Sequence, residues 1–171
     1  MLNIVLVEPE IPGNTGNIGR TCVATGLRLH LIRPLGFDPG IKAAMHAGLD
    51  YWPRVDLHIY DDLPQFFESN PAARNQLWLA TTKAPQSYDG VRYGADDYLF
   101  FGKESAGLPE DFRMKYYDRC VRLPMRPEER SLNLSNSVAI LAYEALRQNG
   151  FPGLSGCGEM KEIAVEDGGQ I

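Results

Sequence analysis

Apolar residues fall along this chain in short blocks, separated by glycine, proline and small polar residues, and the blocks alternate between two periods. Leu2–Val7 is a continuous Ile/Val-rich run that predicts a buried strand, and Glu8–Gly13, with two prolines and a glycine, predicts a loop. A helix is expected to start near Asn14 or Thr15, either of which would cap it, and to run to Thr25 with Gly26 as its stop. Leu27–Ile32 is the next strand, closed by Pro34, followed by a short helix over Ile41–Ala47 that ends at Gly48. Val55–Tyr60 predicts a third strand, and Leu63–Glu68 a short helix cut off before Pro71. Gln76–Thr82 and Tyr98–Phe101 read as strands, Pro109–Tyr116 as a helical turn and Arg119–Leu123 as the last strand. The final helix carries the clearest signal. Leu134, Val138, Leu141, Ala142 and Ala145 recur at helical spacing, and Gly150 with Pro152 ends the run after Asn149. Strands alternating with short helices predict an α/β fold with a mostly parallel sheet flanked by helices.

Composition narrows the class. At 171 residues, 44% apolar and 23% charged, the chain has the makings of one globular domain that needs no disulfide or metal to hold it. Cys22, Cys120 and Cys157 are odd in number and far apart, which excludes a disulfide framework and disfavours a cysteine zinc site. The start, Met1-Leu2-Asn3-Ile4-Val5, lacks a basic leader region, and no apolar run approaches a membrane span, so a cytoplasmic protein is expected. The net charge of −5 gives no global attraction to nucleic acid, but its distribution is uneven. Residues 151–171 carry −3, whereas residues 113–130 carry +3, so a local basic face is allowed beside an acidic tail.

Ligands of parallel sheets collect where strand carboxyl ends meet helix N-termini, and three such loops here have unusual composition. The first, residues 8–20, has glycines at 13, 16 and 19; this is not the dinucleotide spacing, and Arg33-Pro34 stands where a ribose-binding acid would end the second strand. It is either a glycine-assisted entry into a tightly packed helix or a ligand loop. The second, Phe101-Gly102-Lys103-Glu104-Ser105-Ala106-Gly107-Leu108-Pro109, allows close backbone approach at Gly102 beside Glu104, but Asp97 stands where a phosphate loop needs glycine. A plain turn with a surface glutamate is the alternative. The third, residues 123–136, is a proline-bounded loop that feeds Ser131, Asn133, Ser135 and Asn136 into a helix start, where free N–H groups favour electron-rich ligand atoms; four polar residues exceed what one cap needs. His30, His46 and His58 are expected to be structural, Trp52 and Trp78 to lie in the core, and Tyr143 and Glu144 to face a partner or solvent.

In this order the three loops resemble the motifs of the SpoU branch of the SPOUT methyltransferases, and most closely its YibK-like group, which 2'-O-methylates the tRNA wobble nucleotide. The matching segments are Asn14-Thr15-Gly16-Asn17-Ile18-Gly19-Arg20, then Gly102-Lys103-Glu104-Ser105-Ala106-Gly107-Leu108-Pro109, then Ser131-Leu132-Asn133-Leu134-Ser135-Asn136-Ser137 running on to Tyr143-Glu144. The resemblance spans residues 1–153 as one domain and leaves 154–171 as a glycine-containing acidic tail. It implies a deep trefoil knot in the C-terminal part of the domain, S-adenosylmethionine held in the knot, and a homodimer whose interface includes the last helix.

By matching motifs, the resemblance implies that the backbone around Ala80, Thr81, Gly102 and Leu123, with Glu104, Ser131 and Asn136, holds the cofactor. Arg20, Glu104, Ser131 and Asn133 would serve the reaction. Arginine keeps its proton at neutral pH, so Arg20 is read as orienting the ribose or its phosphate rather than as the general base. Lys42, Arg113, Lys115 and Arg126, with Arg20, are the candidate contacts to the anticodon loop of tRNA, and neither a metal nor a membrane is implied. Relatives commonly carry a basic residue where this chain has Ala106 and are richer in bases over 41–47, departures that would weaken RNA affinity or change the preferred tRNA. The rival readings are a non-catalytic knotted RNA-binding module, a methyltransferase acting elsewhere on RNA, and a nucleotide-dependent oxidoreductase, the last disfavoured by the glycine spacing.

Overall fold

The computed structural model describes residues 1–40 and 48–158. Six strands form one sheet: β1 (Asn3–Val7), β2 (Arg28–Ile32), β3 (Leu57–Tyr60), β4 (Leu77–Ala80), β5 (Tyr98–Phe101) and β6 (Cys120–Val121). The helices are α1 (Pro12–Thr25), α2 (Leu63–Ser69), α3 (Glu110–Lys115) and α4 (Leu134–Gln148). Every strand pair is parallel, in the order β3-β2-β1-β5-β4-β6. The expected α/β architecture is therefore present. The expected helix at Ile41–Ala47, which holds Lys42 and His46, lies outside the described residues, as do residues 159–171 of the tail.

Both faces of the sheet are covered, so its central strands read as unbroken apolar runs rather than alternating ones. The pleat divides each run: Ile4, Leu6, Leu99 and Phe101 face the layer that holds Ile18 and Cys22 of α1 and Val138, Leu141, Ala142 and Ala145 of α4. Val5, Val7, Leu79 and Phe100 face the opposite layer, with Phe66 and Phe67 of α2 and Phe112 of α3. Trp52 and Trp78 are buried as expected. α4 keeps its predicted span within a residue and buries the predicted stripe except Leu134, which is half-buried.

Other boundaries differ for local reasons. α1 begins at Pro12, whose fixed φ suits a first helical turn, and neither Asn14 nor Thr15 caps it; Ile11 occupies the cap position without a side-chain bond. The third strand begins at Leu57 because Trp52–Arg54 is taken into a short turn of helix that packs Trp52 against α1. The strands predicted over Gln76–Thr82 and Arg119–Leu123 shorten to β4 and β6, since only Leu79 and Ala80 of β4 find ladder partners in β6.

His30 has the structural role expected of it. Asn3 Nδ2 donates to the Met1 carbonyl (2.9 Å), which leaves Asn3 Oδ1 to accept from His30 Nε2–H (3.0 Å). His30 Nδ1 then accepts from the Tyr60 hydroxyl (3.1 Å), which in turn accepts from Asn70 Nδ2 (3.1 Å), joining β1, β2, β3 and the end of α2. Burial pushes the imidazole pKa down to about 3, so the ring is neutral in the folded state. The unfolded chain binds that proton from about pH 6.5 downward, so this contribution to stability is complete above pH 6.5 and declines as the pH falls. Thermal unfolding should show a loss of about 1–2 kcal/mol between pH 6.5 and 5. A His30→Gln variant, whatever its absolute stability, should lack this slope.

Candidate active site

β1 neighbours both β2 and β5, so the chain's winding direction reverses between β1 and β5, and the loops leaving these strands diverge around a crevice. A cleft of about 900 Å³ opens there, walled by Ile11 and Asn14 beyond β1, Ala80–Lys83 at the end of β4, Gly102–Leu108 beyond β5, and Arg122 and Leu123 beyond β6. Arg130–Leu134 and Ser137, leading into α4, close it.

The three loops are wired to one another by side chains. Glu104 accepts the backbone N–H groups of Glu10 (2.9 Å) and Ile11 (3.3 Å) and the side-chain amide of Asn14 (2.9 Å). It thereby ties the turn that leads into α1, and the Asn14 side chain within that helix, to the loop beyond β5. Asn14 Oδ1 accepts from Asn133 Nδ2 (3.0 Å), and Asn133 Oδ1 caps α4 by accepting from Ser135 N–H (2.9 Å), Ser135 Oγ (2.7 Å) and Asn136 N–H (3.3 Å). The cap fixes which way the Asn133 amide points, and that fixes Asn14 in turn.

Two further pairs run in the opposite direction between the same loops. Glu10 accepts from the Ser105 hydroxyl (2.9 Å) and N–H (3.0 Å), and these bonds hold its carboxyl below the usual range. Lys103 pairs with Glu8 at 2.8 Å, which raises the lysine pKa, and Glu8 itself sits at φ 52, left-handed for a non-glycine residue, where the chain turns out of β1. Gly102 is required at the end of β5: a Cβ there would stand 2.0 Å from the Gly107 carbonyl carbon and 2.1 Å from the Leu108 nitrogen, because the loop folds back on itself.

Of the residues singled out from the sequence, Ala80, Thr81, Gly102, Glu104, Arg113, Leu123, Ser131 and Asn133 all line the cleft. Asn136 is outside the lining, its N–H bound to Asn133. Exposed Lys115 and Arg126 also lie outside it. Arg20 is not brought to the cleft either: it is exposed on another face of α1, with its guanidinium carbon 4.8 Å from the centre of the Tyr51 ring.

Sequence reasoning passes over Asn14 as a site residue, reading it as a cap. It also passes over Lys83, Arg122 and Arg130, which line the cleft alongside Lys103 and Arg113 with Glu104 as the one carboxylate in the lining. The positive charge of residues 113–130 is the signal for two of these. Among the described residues no group of His, Cys, Asp and Glu has the arrangement to hold a metal ion, and no helix is long and apolar enough to cross a membrane.

A parallel α/β sheet with a cation-rimmed, backbone-walled cleft at its switch point defines a protein that binds a nucleotide-like ligand at the strand ends. The chain belongs to the SpoU rRNA Methylase family, whose profile matches residues 1–143. It is 48% identical over 157 residues to a tRNA (cytidine(34)-2'-O)-methyltransferase of Saccharophagus degradans, covering 90% of this chain and 99% of that one. A Yersinia pestis protein of the same name is 46% identical over 157 residues, covering 90% and 97%. A solved structure from work on the 2-OH methylation of C/U34 on tRNA superposes with a TM-score of 0.80 at 44% identity, covering 88% of this chain and 97% of the other.

The wiring makes a graded prediction. Asn133→Ser keeps a cap for α4 but loses the bond to Asn14, whereas Asn133→Ala loses both. The alanine variant should unfold about 2–4 °C below the serine variant in calorimetry, the size expected for one helix cap of about 1 kcal/mol.

Proposed function

We propose that this chain transfers a methyl group from S-adenosylmethionine to the ribose 2'-hydroxyl of the wobble nucleotide, cytidine or uridine 34, of tRNA. The observation that carries this reading is the joining of three separated loops at one cleft through Glu104, Asn14 and Asn133. Family membership and relatives that bear this activity in their names support it.

The cleft fits the cofactor: its walls combine apolar side chains (Ile11, Leu108, Val121, Leu123, Leu134) with strand-end backbone, as a purine and a ribose require. Backbone at Ala80, Thr81, Gly102 and Leu123 and the side chain of Ser131 hold the group, and Asn136 contributes through the capped start of α4. When bound, S-adenosylmethionine supplies an electrophilic methyl on a sulfonium and departs as S-adenosylhomocysteine.

This chain's residues supply position, which is much of the rate in such a transfer. Glu104 already accepts three N–H donors, so it acts by fixing the loops. Asn133 holds the start of α4 against α1 through Asn14. Arg113, with Lys83, Arg122 and Arg130, provides the cationic rim for the RNA backbone, and Lys115 and Arg126 extend the contact beyond the cleft; Lys42, outside the described residues, is a further RNA contact in this reading. Arg20 orients an RNA phosphate or ribose with its planar fork.

A homodimer, a knotted C-terminal part and a cytoplasmic site of action belong to the same proposal. The outward face of α4 presents Ile140 (40% exposed) and Tyr143 (48%), with Phe151 (39%) beside Tyr143, an apolar strip suited to a second copy. For the knot, the support is that residues 120–122 run between two arms of one loop. Thr81 N–H donates to Val121 on one side, while Arg122 N–H donates to Gln86 and Tyr88 N–H to Arg122 on the other.

Purified protein incubated with methyl-labelled S-adenosylmethionine and total tRNA should place label on a ribose 2'-oxygen at position 34 in nucleoside analysis; label on a base, or none, refutes the reading. Arg20→Lys should lose most of this activity, at least tenfold, because an ammonium cannot reproduce the fork. RNA affinity should fall steeply with added salt, as phosphate contacts require.

A further inference from the structure

A second cavity, of about 470 Å³, lies on the other side of the first turns of α1. One wall is α1 itself, at Pro12, Gly13, Thr15, Gly16 and Asn17; the other is Phe37, Asp38 and Pro39 with Leu49 and Trp52. The two cavities divide the start of α1 between them, since Ile11 and Asn14 border the cleft and the next residues border this space. Of the residues given a part in the reaction, none lines it.

Its construction is specific. Gly36 N–H donates to the Pro9 carbonyl (2.9 Å), Asp38 accepts from Gly40 N–H (2.8 Å) and Trp52 Nε1 donates to the Pro39 carbonyl (3.1 Å), which fixes the outer wall at both ends. On the helix side, a Cβ on Gly13 would meet no atom of the described residues within 4 Å. Gly13, Gly16, Asn17 and Arg20 stand at i, i+3, i+4 and i+7 and so share one face of the helix. Arg20 therefore stands about 4.5 Å along the axis beyond Asn17 on the face that borders the cavity, steadied by Tyr51, whose hydroxyl donates to the Gly16 carbonyl at 2.7 Å. Thr15 borders the same space, and its buried hydroxyl is the one buried side-chain polar atom without a hydrogen-bond partner among the described residues.

We propose that this cavity is a slot for one nucleobase of the RNA strand being methylated, taken between the glycine face of α1 and Phe37, with the adjoining phosphate toward Arg20. The inference rests on the methyltransferase reading and adds a second subsite to it. A flat aromatic ring suits the side-chain-free position at Gly13 on a wall shared with an aromatic side chain, Phe37, and single-stranded RNA offers unstacked bases that proteins take up by stacking. A cation on the same helix face answers the charge that every nucleotide brings with its base.

Gly13→Leu fills the slot and Phe37→Ala removes its aromatic wall, and both are tested in the full chain with saturating S-adenosylhomocysteine. Binding of an anticodon stem-loop RNA, read by fluorescence anisotropy without turnover, should weaken about tenfold in each variant. Affinity for S-adenosylhomocysteine by calorimetry should stay within about twofold, which also reports that the variants fold. Stem-loops made abasic at single positions of the anticodon loop identify the occupant, because one of them should bind wild type and Gly13→Leu equally. Variants that bind the intact stem-loop as wild type does, or that lose affinity equally for every abasic RNA, overturn the slot. So does a variant whose dimer weakens in sedimentation while RNA affinity holds, since the cavity is then an interface between copies. If wild type binds the stem-loop and the variants weaken it, yet no methyl is transferred, the slot stands and the methyltransferase reading falls. If methyl transfer is intact and the variants bind normally, the slot alone falls.

Discussion

The structure depends on how the entry to one helix is tied to a distant loop. The turn that leads into α1 aims the N–H groups of Glu10 and Ile11 at one partner. Glu104 is that partner, and it comes from a loop 90 residues away in the sequence from Asn14. Both backbone donors lie in an exposed turn, so these bonds act by joining the first and second loops rather than by satisfying buried groups. Asn14 then passes the connection to Asn133, the cap of α4. One carboxylate thus sets the separation of three loops, and the cleft is the space they leave.

That arrangement explains the division of labour in the cleft. Side chains that look reactive on paper, a glutamate and two asparagines, are occupied with one another and with helix ends. What remains directed at a ligand is backbone at the ends of β4, β5 and β6, apolar side chains, and a rim of cations. Such a surface binds and aligns; it suits a reaction whose electrophile arrives already activated and whose barrier falls mainly through alignment. The reverse pairs, Glu10 with Ser105 and Glu8 with Lys103, stiffen the same two loops without entering the cleft lining at Glu8 or Glu10.

Much of the fold is legible because a parallel sheet writes itself as apolar runs broken by glycine and proline. Tyr98–Phe101 and the last helix emerge nearly as predicted, and the three loops at the strand ends line one cleft. The illegible part depends on distant partners. Nothing local to Pro12 shows that the turn before its helix is bound by Glu104, so the sequence directs the search for a cap to Asn14 and Thr15. The shortness of β6 comes from how little of β4 it meets, and the start of β3 from Trp52 turning to pack on α1. Asn14 escapes notice for the same reason: its two bonds reach residues 90 and 119 positions away. The motifs locate the site; only three-dimensional contact shows which of their residues hold the loops and which border the ligand space.

The glycines of the first loop illustrate the limit further. Their spacing excludes a dinucleotide loop but says nothing of what each one faces. In the fold, Gly19 lies so close to Trp52 that a Cβ would stand 2.6 Å from the indole, and Gly16 approaches Leu49 within 3.1 Å of such a Cβ, whereas one on Gly13 would meet no atom of the described residues within 4 Å. A period of three on a helix keeps residues near one side while drifting about 60° per step, so the series begins at a cavity and ends against the core. Packing alone accounts for Gly16 and Gly19 and leaves Gly13 without a structural reason to lack a side chain. Arg20, seven residues beyond Gly13 and back on its side of the helix, is exposed with its guanidinium against the Tyr51 ring. α1 therefore has two distinct surroundings, one tied to the cleft through Asn14 and one bordering the second cavity, with Arg20 on that side of the helix. A reaction that must seat a small cofactor and a long polyanionic strand at once needs both.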